Sequence, residues 1–429
     1  METNSEILGN QETRCITKCI FDFIVLVLSF FLIFVAFNSI QNLASSLDGN
    51  QSFANLGSAS LFTIYGVFFF VCLFAPQIIK FLEPKKAIIF GFVAFCFYTI
   101  ANNPYIICWE ILIVASFLVG IGGPIMWVSQ GKYITELTVE FSKIKSQEEK
   151  SIFGTFNGIF YGIFQCTQIV GNLLSSLILH RNINIMSIIY ICCAGLGTVV
   201  IFFIRPLSSI KYGENISYEE VASASASKDI KTWQLLANPK ICLLIPLFLN
   251  SGLVPAFVFN VFTSQIIQTS LGDQNIGYVM ATFGLLNALT SLLVGKLSDK
   301  IGGGSIIIFG LFVEFCLCLY FSLNYTNLNF AVYEIYCFAA VWGLIDAINN
   351  TLVPTLLSLL FPEEIEAAFS NFRLWQTLGF TIIMALGIVN LVPDINTNFL
   401  IKVLVLLGWN LVTFVTFILI NIFNEIEKN

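Results

Sequence analysis

An aspartate in the middle of an apolar run is the first residue with chemistry to offer. Asp346 sits within Phe330 to Phe361, around V-W-G-L-I-D-A-I-N-N-T-L-V-P, a segment long enough to cross a bilayer. Asn349 and Asn350 follow at i+3 and i+4, so the three polar groups share one helical face. Trp342 and Gly343 lie one turn earlier, and Pro354 two turns later. An ionised carboxylate at bilayer depth costs about 3 kcal/mol or more unless it faces a bundle interior or a water-filled cavity. Such a group works as a cation site or a proton carrier. The structural alternative is a protonated or amide-paired aspartate. No cavity Arg or Lys is evident to partner it.

Other polar faces repeat the theme. Asn157, Tyr161, Gln165, Gln168 and Asn172 form one face across their apolar run, beside the small-residue series Gly154, Gly158 and Gly162. Asn38, Gln41, Asn42 and Ser45 share a face, and so do Trp127 and Gln130, just after Gly122-Gly123-Pro124. That triplet predicts a kink, and Asn250, Ser251 and Pro255 predict a second interruption. These faces wall a hydrated cavity, or they are interhelical glue at about 0.6 kcal/mol per amide. Glu314 and Glu334 are weaker candidates. Glu334 lies within reach of an interface, while Glu314 lies deeper and is expected to pair with a neighbouring helix.

The elements that position these residues follow from composition. The chain of 429 residues is 57% hydrophobic and 11% charged, with 44 Phe. A soluble protein of this size carries about 25% charged residues, so this is a polytopic membrane protein. A window of about 19 residues gives twelve spans, all helical because lipid leaves an unpaired backbone unsatisfied. They run over 20–44, 58–82, 87–103, 107–131, 152–179, 184–204, 241–266, 274–296, 304–323, 330–360, 369–391 and 396–422. With a cytosolic N-terminus, all of the 20 Lys and Arg except Arg181 and Lys402 fall in cytosolic segments, Arg373 among them. That bias predicts cytosolic N- and C-termini. It does not say whether the membrane is the plasma membrane or an endomembrane.

Several function classes are disfavoured. One His, no basic tract and no Cys-x-x-Cys spacing argue against a metal centre, a nucleic-acid partner and a cofactor. No catalytic constellation appears, so the reading is not an enzyme. The twelve Cys lie mostly in apolar runs as small buried residues, while Cys15 and Cys19 sit where palmitoylation occurs. The first 19 residues are polar with no cleavage-like site, which predicts no removable signal peptide. Of four N-x-S/T sequons, Asn50 and Asn324 fall in non-cytosolic loops and are the glycosylation candidates; Asn215 and Asn349 do not.

The chain divides at a polar stretch, 205–240, which holds A-S-A-S-A-S at 222–227 and reads as a cytosolic linker. It separates an N-terminal six-helix bundle, 1–204, from a C-terminal one, 241–429. A second cytosolic stretch, Lys132 to Lys150, reads as a short surface helix. I-I-F-G recurs at 88–91 and 307–310, each opening the third span of its half. Six plus six spans with internal repetition describe the major facilitator architecture, two bundles related by a pseudo-two-fold. G-K-L-S-D-K-I-G, from Gly295 through Asp299 to Gly302, resembles that superfamily's short signature between the second and third spans of a half. It reads as a conformational latch, with Asp299 facing the positive end of a neighbouring helix near Ser151 to Thr155. The first half has A-P-Q-I-I-K-F-L-E-P-K-K instead, bracketed by Pro76 and Pro84.

That departure, with V-A-F-N-S-I-Q-N-L-A-S-S-L at 35–47, G-G-P-I-M-W-V-S-Q-G-K-Y-I-T at 122–135 and G-L-I-D-A-I-N-N-T at 343–351, resembles the Unc-93-like (uncoordinated-93) branch of the superfamily. The likeness covers nearly the whole chain and is closest to the short orphan members. It implies one of three roles: regulatory subunit of a potassium channel, trafficking chaperone for membrane receptors, or transporter-like protein. It brings no catalytic residue. The partners to expect are the lipid bilayer with a small-molecule or ion substrate, or else a channel or receptor.

The leading expectation is alternating-access transport of a small solute. The pathway would be formed by Asp346, Asn349, Asn350, Trp127, Gln130, Gln165, Gln168 and Asn38. With no basic residue in the predicted cavity, an anionic substrate is disfavoured. A non-transporting accessory subunit is the second expectation. The glycine face at 154–162 is also expected to cross the stripe Gly277, Ala281, Gly284 and Ala288.

Overall fold

The structure, a computed structural model, describes the backbone of all residues except 1, 48–55, 146–151, 179–182, 210–229, 273–274, 389–391, 393 and 427–429. Side chains at 2–12, 42–47, 58, 175–176, 178, 183, 208, 387–388 and 421–426 also lie outside the description. The helices are α1 (Glu2–Leu47), α2 (Leu56–Cys72), α3 (Ala75–Leu82), α4 (Pro84–Ala101), α5 (Trp109–Ile144), α6 (Phe153–Ile178) and α7 (Ile183–Ile201). After the 205–240 stretch come α8 (Pro239–Leu271), α9 (Ile276–Ile301), α10 (Gly303–Leu323), α11 (Val332–Leu360), α12 (Ile365–Ile388) and α13 (Ile395–Ile426).

Among the described residues nine helices are long and apolar enough to cross a membrane. The pair α2 and α3, bent by 79° at the break before Ala75, makes a tenth if it counts as one span. Twelve is not reached by this measure. The two long helices that miss it, α6 and α12, have 26 and 24 residues. Buried amides, hydroxyls and Arg373 interrupt their apolar runs.

Local expectations met mixed outcomes. α5 runs unbroken through Gly122-Gly123-Pro124 to Ile144, so no separate surface helix starts at Lys132. The two glycines serve close packing: an added Cβ would lie 3.1 Å from Gly91 Cα at Gly122, and 2.9 Å from the Phe68 ring at Gly123. In α8 the backbone does change, to a π-helical stretch at Phe257–Ile267 just after Pro255.

Aromatic residues fill the interior. Within α1–α7, Phe30 meets Phe92, Trp127 and Phe160 edge to face at 5.1, 5.2 and 5.4 Å. Within α8–α13, Phe321 stacks near Trp342, and both are buried. Large apolar side chains such as Phe62, Phe81, Leu293 and Leu323 point outward, as a lipid-facing surface requires.

The two sets of helices meet along α6 and α9. Cβ atoms added at Gly158 would lie 2.8 Å from Gly295 Cα and 2.7 Å from the Ser291 carbonyl. Only glycine lets the two backbones approach so closely. The match is displaced from the expected register. Gly154 and Gly158 face Gly295 and Ser291, Gly162 faces Ala288, and Gly284 meets Gln168 and Ile169. The antiparallel crossing uses the end of α9 that carries the Gly295–Gly302 motif, called here the basic end because Lys296, Lys300, Lys132 and Lys143 lie there.

The α3–α4 connection preserves a geometry whose sequence signature is gone. Gly302, between α9 and α10, has φ 83° and ψ 141°. Glu83, at the corresponding place between α3 and α4, has φ 66° and ψ 147°. For a residue with a Cβ this region costs about 1–3 kcal/mol. Glycine there forfeits roughly 0.5–1 kcal/mol of chain entropy. Glu83→Gly is therefore expected to stabilise the protein, by about 1 kcal/mol. Thermal unfolding in detergent reads this out, and a lowered melting temperature would show that the Glu83–Lys86 contact at 3.1 Å outweighs the strain.

Candidate functional site

A cavity of about 170 Å³ lies between the two sets. α1 contributes Asn38 and Gln41, α2 Tyr65 and Phe68, α5 Trp127, and α6 Tyr161, Gln165 and Gln168. From the other side come Phe259 of α8, Asp346 and Asn350 of α11, and Arg373, Gln376, Thr377 and Phe380 of α12. Toward the end opposite the basic one, Tyr65 and Phe380 stack across the seam at 5.5 Å, and the Gln41 amide donates to the Tyr65 hydroxyl at 2.7 Å.

Asp346 is buried and points into this cavity. Its Oδ2 accepts from the amides of Asn287 and Asn350 at 2.6 and 2.8 Å, while Oδ1 has no partner. Asn287, on α9, escaped the sequence reading because a lone amide in an apolar run gives no spacing signal.

Arg373 overturns an expectation. Sequence counted it with the cytosolic Lys and Arg, although it lies just inside the start of the span at 369–391. α12 begins at Ile365, so Arg373 lies two turns inside the helix, 7% exposed, on the cavity wall. Its Nη1 donates to Gln376 Oε1 at 2.6 Å and its Nη2 to the Tyr161 hydroxyl at 3.2 Å. The guanidinium lies 4.3 Å over the Trp127 ring and 4.8 Å over Phe372. Its Nε–H has no partner. No ion pair joins Arg373 to a carboxylate among the described residues. The cavity therefore contains a cation, and the case against anionic substrates falls with it.

Six of the eight pathway residues line the cavity: Asp346, Asn350, Trp127, Gln165, Gln168 and Asn38. Gln130 and Asn349 do not. Both are buried, with Gln130 Oε1 and Asn349 Nδ2 unpartnered. Some lining amides are tied down as well: Asn38 donates to Thr167 Oγ1 at 2.9 Å.

Glu314 is fully buried, its Oε2 accepting from Asn250 at 2.8 Å, and Glu334 is a half-buried helix cap on the Ala331 N–H. Of the sequons, Asn50 lies outside the described residues, and the Asn324 amide donates to the Tyr320 carbonyl at the end of α10. Cys15 is half-buried and Cys19 buried.

At the basic end the seam is closed by polar contacts. Asp299 accepts from the Gly154 and Thr155 N–H groups at 2.8 Å each and from the Thr155 hydroxyl at 2.5 Å, at the start of α6. Ser151 lies outside the described residues. Gly302 supplies the positive-φ turn after Asp299, and Gly295 the close crossing. Lys132 of α5 donates to Glu366 of α12 at 2.6 Å, and the Thr135 and Ser358 hydroxyls are 2.8 Å apart. The Thr232 hydroxyl, at the end of the 205–240 stretch, donates to the Cys72 carbonyl at 3.0 Å; its own carbonyl accepts from Asn371 at 2.8 Å. Buried Asp22 of α1 pairs at 2.6 Å with Arg205, four residues past the end of α7, a contact no local spacing announces.

The chain is an all-helical membrane protein with a polar cavity between two helix sets, and solved structures of major facilitator transporters share its fold. The chain overlays on a major facilitator transporter, FucP in the outward conformation, with a TM-score of 0.64, 15% identity, and 94% and 99% of the two chains covered. For the nucleoside transporter NupG the TM-score is 0.60, with 15% identity and 93% and 99% covered. The model of the ion channel regulatory protein UNC-93 matches residues 49–423, and the chain belongs to the UNC-93 family. It is 32% identical to protein unc-93 homolog A of Xenopus laevis over 85% of this chain and 86% of that one. It is 29% identical to UNC93-like protein 3 of Arabidopsis thaliana over 87% and 81%. These names speak of channel regulation or of kinship, and those of the solved structures of transport; none is an enzyme's.

Proposed function

We propose that this protein is a carrier that moves a small solute by alternating access between two six-helix bundles, 1–204 and 241–429, joined by the linker 205–240. On this reading α6 and α12 add two spans to the ten, making twelve, and the basic end is cytosolic. The observation that carries the reading is the cavity between the sets, where Asp346 and Arg373 each keep a buried polar atom unpartnered. Opposite charges buried without a partner are expensive, so a wall that sets Asp346 and Arg373 around one void with no ion pair between them suits an occupant. Closure at the basic end by Asp299, Lys132 and Thr135 supports one stage of a rocking cycle.

Uptake into proteoliposomes tests it. Asp346→Asn keeps the amide partners and is expected to leave folding intact while slowing uptake roughly tenfold or more, the scale of a lost 1.5–3 kcal/mol charged contact. Equal uptake by the mutant at every pH would make Asp346 a structural residue. A second reading, a regulatory subunit of an ion channel, is favoured by the family's own description. It expects a channel to co-purify, and Asp346→Asn to leave that channel's currents unchanged.

A further inference from the structure

We propose that the cavity binds a small zwitterion with an apolar body, amino-acid-like in build, its carboxylate on Arg373 and its ammonium on Asp346. The inference rests on the carrier reading and names its substrate class.

Three observations converge. First, the two charges line one cavity and are not paired with each other, and each keeps one unpartnered atom, Asp346 Oδ1 and Arg373 Nε. The Nε–H is one tine of the guanidinium fork that receives a carboxylate. Asp346 is the one carboxylate of the lining and the group to meet an ammonium. A single ligand carrying both groups answers both charges.

Second, the charges balance. Ionised Asp346 and Arg373 are neutral together, and a zwitterion keeps the loaded site neutral. A solute with one charge would leave a net charge buried in low dielectric, at a penalty of several kcal/mol.

Third, half of the remaining wall is aromatic, with Phe34, Phe37, Phe68, Phe164, Phe259 and Phe380 standing beside amides such as Gln165 and Gln168. A volume of about 170 Å³ is close to the roughly 150 Å³ of an apolar cavity that takes up benzene. The room fits a branched or aromatic side chain packed on those rings.

Three probes sharing one carbon skeleton separate the charges: phenylalanine, 3-phenylpropionate and 2-phenylethylamine. Titrated calorimetrically into the full chain in detergent, phenylalanine is expected to bind at least tenfold more tightly than either one-charge analogue. Asp346→Asn should erase its advantage over phenylpropionate, and Arg373→Gln its advantage over phenylethylamine. Melting curves check that both variants fold, and the wild-type ranking decides the case without them. Phenylpropionate binding as tightly as phenylalanine would overturn the proposal. So would uptake of a one-charge or uncharged solute with no phenylalanine binding, an outcome that leaves the carrier reading standing. No binding and no uptake of any probe overturns both.

Discussion

Gly158→Leu is expected to abolish recovery of folded, monodisperse protein, whereas Gly195→Leu leaves yield and melting temperature unchanged. At Gly158 the first added carbon would already press on Gly295 Cα and the Ser291 carbonyl, both backbone atoms that cannot rotate away. The remaining three carbons of leucine would force α6 and α9 apart along the main contact between the two helix sets. Overpacking a fitted core costs about 1–3 kcal/mol when side chains can adjust. With backbone opposite, the penalty should exceed roughly 3 kcal/mol, a large part of a typical 5–15 kcal/mol stability. Gly195 has nothing within 4 Å, so its variant controls for helix propensity and expression. Fluorescence-detected size exclusion reads both. A well-behaved Gly158→Leu protein would mean that the two sets separate freely.

Lys132→Glu is expected to have the second large effect, opening the basic end. Lys132 is held between Glu366 at 2.6 Å and Glu136 at 3.6 Å, with 14% of its side chain exposed. Removing one partner of such an enclosed pair costs about 3–5 kcal/mol, and reversing its charge gathers three carboxylates. The contact joins α5 to α12, so the loss falls on the closed seam rather than on either set alone. A cysteine introduced at Ser358, which abuts Thr135 across that seam, should react with a hydrophilic maleimide much faster in the Lys132→Glu background. Glu366→Lys added to Lys132→Glu should restore protection. If labelling is unchanged, the ion pair does not hold the seam.

The sequence made some of this legible and hid the rest, for physical reasons. Membrane spans announce themselves, because apolar length has no other explanation at this composition. The α6 glycine face was visible because close helix crossings demand small residues at intervals of four, although the register of its partner was not. Asp346 stood out as a charge in an apolar run. Arg373 carried the same signal, flanked by Phe369, Phe372, Leu374 and Trp375, yet its place near the end of a hydropathy window disguised it as a loop residue. Moving it inward leaves all but three of the 20 Lys and Arg on the predicted side, so the topology bias survives. What no window can read is partnership over long separations. Asn287 with Asp346 and Asp22 with Arg205 are such cases, since each pairing follows from helix packing and not from spacing.

The position of Thr232 bears on speed. Its hydroxyl and carbonyl fasten the end of the 205–240 stretch to the Cys72 carbonyl on one set and to Asn371 on the other, and Ser370 donates to that same Cys72 carbonyl. On the carrier reading proposed above, a cycle that opens the basic end has to release this clasp on every turnover. Two or three buried hydrogen bonds at about 1 kcal/mol each slow release by roughly 30- to 150-fold when they are broken on the way to the barrier. The turnover clock of such a carrier would then lie in a tether outside both the cavity and the glycine crossing, where a few hydrogen bonds set the tempo without touching the cargo.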